Sequence, residues 1–92
     1  MPAVNFRVRW PDGSESDCYS PSTIIHDYLT AGEALTIAEF IDRSRSGLGA
    51  ASERVRQRYG FVCSSAMDQL AQIESNCSKF AHDTVIKIVA MN

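Results

Sequence analysis

The chain has 92 residues, 45% hydrophobic and 22% charged, with a formal net charge of −2 and a pI near 5.5. That describes one globular domain with a modest core, and the acidic balance excludes any global attraction to nucleic acid or to an anionic membrane. No apolar run approaches the roughly 20 residues of a membrane span, and no basic n-region leads into an apolar h-region as in a signal peptide.

Residues 4–10 alternate. Val4, Phe6, Val8 and Trp10 point one way and Asn5, Arg7 and Arg9 the other, as in a half-buried strand. Pro11-Asp12-Gly13-Ser14 has the composition of a tight turn. A second strand at 15–20 should therefore return as a hairpin. Cys18 is its best inward residue, and Glu15, Asp17 and Tyr19 fall on the outer face, where Glu15 and Asp17 can lie across from Arg7 and Arg9. Residues 22–29 read either as a short helix or as an extended arm. Ile24, Ile25, Tyr28 and Leu29 have helical spacing, but the segment is short.

Residues 36–60 read as one long amphipathic helix, about 35 Å in length. Thr36 and Glu39 form a capping box. Ile37, Phe40, Ile41, Ser44, Leu48, Ala51, Val55 and Tyr59 share one stripe at 100° per residue. Gly60 supplies the left-handed stop, with Phe61 folding back behind it. Gly47 and Gly49 weaken the middle by about 1 kcal/mol each relative to alanine, so a kink or a close approach by another segment is expected there. A second helix is expected at 65–80, capped by Ser65 with Asp68. Its buried face would be Met67, Leu70, Ala71, Ile73, Cys77 and Phe80. Residues 84–91, TVIKIVAM, are rich in β-branched side chains and apolar on both faces, which predicts a central strand.

The expected fold is α+β: a small, antiparallel-rich three-stranded sheet packed on two helices, in one domain spanning 1–92. The order is β-β-α-α-β, with a short extra element after strand 2.

Chemistry is sparse. Three cysteines, Cys18, Cys63 and Cys77, sit in no CxxC pair, which argues against a disulfide framework and for a reducing cytoplasm. Cys18 with His26 is a candidate nucleophile pair. The plainer reading makes all three cysteines core residues and His26 a surface residue. His26-Asp27 and His82-Asp83 are isolated dipeptides without metal-ligand spacing, so no metal is expected. The acidic residues are accounted for mostly by turns, helix ends and solvation. Gly47-x-Gly49 follows no strand, so it is no dinucleotide fingerprint, and no cofactor is implied.

The arginines stand out, because five of the nine basic residues lie on the long helix. Arg43, Arg54 and Arg58 line one border of its apolar stripe, and Arg45 and Arg56 line the other. Guanidinium groups placed so can lay their stems on the core edge and turn their donors outward. These five are the candidate site for an anion or an acidic partner. The plainer alternative is a solvated flank paired with nearby acids.

Several segments together resemble a known family: FRVRWPDGS, CYSPS, DYL-x-x-GE, and ASERVRQRYGF–CS–A-x-DQLA-x-IE. They are similar to the small proteins of the nitrogen-starvation-response family. Those are encoded in bacterial gene clusters beside a nitrilase, a radical-SAM protein, an acetyltransferase and a flavin-dependent enzyme. The resemblance runs over about residues 6–74; the last strand matches only in character. It implies a cytoplasmic protein tied to nitrogen limitation, and it brings no catalytic residue to place on this chain. The expected function is a non-catalytic accessory or interaction module, acting as a homodimer or as the partner of an enzyme from the cluster. The alternatives are a small anion-binding protein or enzyme using the arginine flanks with Cys18 and His26, and a nucleic-acid-binding regulator.

Overall fold

The computed structural model describes residues 3–60 and 64–92. The elements in order are β1 (Val4–Arg9), β2 (Glu15–Ser20), a 3-10 helix (Thr23–Asp27), β3 (Ala34–Thr36), α1 (Ile37–Tyr59), α2 (Ser64–Cys77) and β4 (Val85–Met91). The sheet is antiparallel with order β2-β1-β4-β3, and both helices lie on one side of it.

The α+β class holds, but the expected three-stranded sheet is corrected to four strands. The extra strand is β3, whose Ala34, Leu35 and Thr36 pair with Lys87, Ile86 and Val85. Three residues are too few for alternation to be read, and Thr36 also carries the capping signal of α1. The pairing extends into the preceding turn. The Gly32 N–H donates to the Ile88 carbonyl (2.6 Å), and the Ile88 N–H donates to Glu33 (2.9 Å). Gly32 adopts φ +86° there, a left-handed conformation that glycine takes without a Cβ penalty.

β1 follows its alternation, with Val4, Phe6, Val8 and Trp10 all buried. The hairpin register sets Arg7 across from Asp17 and Arg9 across from Glu15, as expected. β4 is central, between β1 and β3. Its apolar composition on both faces does not reflect burial on both faces, however, since Val85 is 53% exposed on the outer side. A bulge opposite Arg7 and Val8 makes Val89 an extra residue. It shifts the phase so that Met91, rather than Ala90, faces Phe6 and packs against the core. Trp10 joins the layers. Its ring meets Phe40 edge-on at 5.8 Å and stacks on Phe80 at 6.0 Å, while its N–H donates to Ser16 Oγ (2.8 Å).

α1 begins with the expected capping box. Thr36 Oγ1 accepts from the Glu39 N–H (3.2 Å), and the Glu39 carboxylate accepts from the Thr36 N–H (3.3 Å). The Ile37 and Ala38 N–H groups donate to the carbonyls of Thr84 and His82. The helix runs unbroken through Gly47 and Gly49 and stops at Gly60, φ +80°. Gly47 admits a close approach. A Cβ built there would lie 2.7 Å from Ile25 Cδ1 and 3.1 Å from Tyr28 Cβ, so the 3-10 helix and the turn after it pack directly on the backbone of α1.

Several helical assignments need correction. Tyr59, expected on the buried stripe, is 50% exposed. In α2 the buried face is Ala66, Leu70, Ile73 and Cys77, whereas Met67 is 42% exposed and Ala71 is exposed too. α2 packs against α1, and the small Ala66 lies in its buried face while Met67 is turned toward solvent. Ser65 lies inside α2 rather than capping it, and the helix ends at Cys77, leaving Phe80 in the following turn. The expected contact of Phe61 and the core placement of Cys63 lie outside the described residues.

Candidate functional site

Cys18 and His26 do not form a reactive pair. Cys18 is inward-facing on β2 and 3% exposed, and burial pushes its thiol up to about 12. His26 is exposed on the 3-10 helix and bonds elsewhere, its Nε2 lying 3.1 Å from the Asn92 carbonyl oxygen. Cys77 is buried on α2, with its thiol raised to about 11, again mainly by burial. No group of three or more His, Cys, Asp or Glu side chains among the described residues is placed to hold a metal ion.

Most acidic residues have local duties. Asp12 accepts from the Ser14 hydroxyl (2.6 Å) and N–H (3.0 Å), and these bonds hold its carboxyl below the ordinary carboxylate range. Glu39 is lowered likewise by its bonds to Thr36 in the capping box. The first N–H groups of α1 are already bonded within the chain, so its N-terminus offers no open anion cradle.

The five arginines of α1 divide into two sets. Arg43 reaches across to Glu33 before β3 (2.9 Å), Arg45 binds Glu74 of α2 (2.9 Å), and Arg56 pairs with Glu53 one turn back. These three brace α1 against its neighbours or against itself. The Glu33 carboxylate is partly buried against Arg43, and its other oxygen has no partner. Arg54 and Arg58 differ: both are exposed, and neither has an ion-pair or hydrogen-bond partner among the described residues. They stand one turn apart, about 6 Å along the axis, on the border that Arg43 shares.

A second surface was not singled out by the sequence. The sheet side away from the helices is covered by none of the described residues and carries Arg7, Arg9 and Lys87 beside Glu15 and Asp17, with exposed Val85, Ala90 and Ala34 between or around them. At one end of this side lies a shallow depression of about 290 Å³, lined by Asn5, Arg7, Asp17, Ala90 and Asn92 among others. The two-residue period of β1 and β2 gave these positions. That no layer covers them depends on where both helices pack.

Comparison with known families gives one assignment. The profile of the family described as nitrogen starvation-induced protein NitG matches residues 5–91. The chain belongs to this family. The resemblance carried by FRVRWPDGS and the long spaced pattern after it is thereby shown, and the family spans the C-terminal strand as well. Neither the curated proteins nor the solved structures compared with this NitG-family chain gave a significant match. In this NitG-family chain no helix among the described residues is long and apolar enough to cross a membrane.

Proposed function

We infer that this nitrogen starvation-induced protein is a cytoplasmic, non-catalytic interaction module that docks on an acidic surface of a partner enzyme. The nitrilase-containing gene cluster of the resemblance is the natural source of that partner. One observation carries the reading. Of the five arginines on α1, only Arg54 and Arg58 have no acidic partner among the described residues, and both are exposed. Two planar donor forks one turn apart suit carboxylates better than they suit an isolated small anion.

The alternatives draw less support. A thiol as buried as that of Cys18 is a poor nucleophile, because the thiolate is the reactive species. A nucleic-acid regulator would need a broader basic field than two free guanidinium groups on a chain of net charge −2. The test is affinity capture from nitrogen-starved cells with wild type and with the Arg54→Glu/Arg58→Glu chain. Wild type is expected to retain a product of the cluster, and the double variant, with an unchanged far-UV spectrum, to lose it by tenfold or more. Equal retention by both chains would sink the reading.

A further inference from the structure

We propose that the uncovered side of the sheet is a self-complementary surface on which a second copy of this chain docks face to face. The proposal does not depend on Arg54 or Arg58. It rests on how the two signs of charge are laid out and on which of their polar atoms remain unused.

The charges stand in columns set by the strands. β2 contributes Glu15 and Asp17, β1 contributes Arg7 and Arg9, and β4 contributes Lys87. Within a row, Asp17 lies across from Arg7, and Glu15 lies across from Arg9, which in turn lies across from Lys87. All are accessible: the side chains of Arg7, Arg9 and Asp17 are 52%, 51% and 75% exposed. A two-fold axis parallel to the strands, lying above the line between β1 and β2, places the acidic column of each copy over the basic column of the other. Rows are kept, so Arg7 meets the second copy's Asp17 and Asp17 meets the second copy's Arg7. Such mutual contact is the defining property of a two-fold interface.

The pairs within the chain leave atoms for this. Arg7 binds Asp17 through Nε alone, to Oδ1 at 2.9 Å. Its two terminal nitrogens and the Asp17 Oδ2 make no hydrogen bond among the described residues. Arg9 directs both Nε and Nη2 to a single oxygen of Glu15. A guanidinium has five donors and a carboxylate about four acceptor positions, so each group can bond across the interface while keeping its neighbour.

The sheet edges are worse places for a second copy. On β2 the outward N–H of Tyr19 is taken by Gln69 of α2 (3.0 Å), and a two-fold edge pairing would bring Glu15 and Asp17 toward their own copies. On the other side β3 has only three residues. Size sets the strength. The axis overlaps β1 and β2 of each copy, and two strands about 4.8 Å apart with six residues at about 3.3 Å cover roughly 200 Å² per copy. That is about a quarter of the ~800 Å² per partner of a standard stable interface, so the dimer is weak, reversible and salt-sensitive.

Sedimentation equilibrium of the full chain from 5 to 500 µM, in about 20 mM and about 500 mM NaCl, tests this. A monomer–dimer equilibrium is expected, weakened at least fivefold by the added salt. The Arg7→Glu/Arg9→Glu chain and the Glu15→Arg/Asp17→Arg chain should each remain monomeric, because the β1 and β2 columns that overlap then carry one sign. Mixed at equal concentration, they should form a 1:1 complex. If a charge-reversed chain does not fold, Arg7→Gln and Asp17→Asn serve instead, each expected to weaken the dimer severalfold. Wild type monomeric throughout, a dimer that survives these substitutions, or folded charge-reversed chains that ignore each other would overturn the proposal. So would a dimer lost in the Arg54→Glu/Arg58→Glu chain, which is expected to dimerise like wild type whatever its enzyme partner does.

Discussion

Cys18 and Cys77 show how far a single side chain's chemistry depends on what surrounds it. Each is a thiol that ionises in the ordinary range in water, and each is pushed up, Cys18 to about 12 and Cys77 to about 11, chiefly by burial. At pH 8 Cys18 is then held as the neutral thiol. In a Cys63→Ser background, native protein should resist a thiol reagent over hours, and labelling should follow global unfolding in urea. Rapid modification of native Cys18 would restore it as a candidate nucleophile. The arginines follow the same rule of context. Arg56 and Arg58 are two residues apart on one exposed turn, yet only Arg56 meets an acid, because Glu53 lies three residues back on its side of the helix.

At the level of elements, the two glycines of α1 should respond in opposite directions. Each weakens the helix by about 1 kcal/mol relative to alanine. At Gly49 nothing lies within 4 Å of an added methyl group, so Gly49→Ala should stabilise the protein by about 1 kcal/mol. At Gly47 the methyl would press on Ile25 and on the stem of Tyr28, and Ile25 is fully buried with no room to retreat. Overpacking costs about 1–3 kcal/mol and outweighs the gain in propensity, for a net loss of about 1 kcal/mol. Urea denaturation of both variants measures this, and stabilisation by Gly47→Ala would show that the 3-10 helix yields readily. The glycine step was visible in the sequence as a place of close approach or kinking. Which glycine is needed was not, because the approaching residues come from more than 18 positions away.

For the whole molecule, one core cluster runs from β1 and β4 through Leu35 and Ile25 to Phe40, Leu48, Leu70 and Ile73. The single tryptophan, Trp10, touches Phe40 of α1 and Phe80 beyond α2. Its fluorescence therefore reports the docking of both helical segments, and far-UV circular dichroism reports the helices themselves. The two denaturation curves should coincide, as in a cooperative single domain. Separate midpoints would show that the helical layer melts away from the sheet.

The sequence by itself determined β1, the hairpin with its crossed charges, the capping box and the Gly60 stop of α1, and the core position of Cys18 and Cys77. Each rests on signals within a few residues: a period of two, a period of 3.6, a cap or a turn. The tertiary structure alone decided four other features: the three-residue β3, the phase of α2, the exposure of Tyr59, and the division of the arginines into braced and free. It also decided that one side of the sheet stays uncovered. All of these depend on contacts between segments distant in the chain. A strand of three residues exists only through its partner β4, and the buried side of a helix is chosen by the neighbour it meets. An arginine, likewise, is free only when the fold brings no carboxylate within reach.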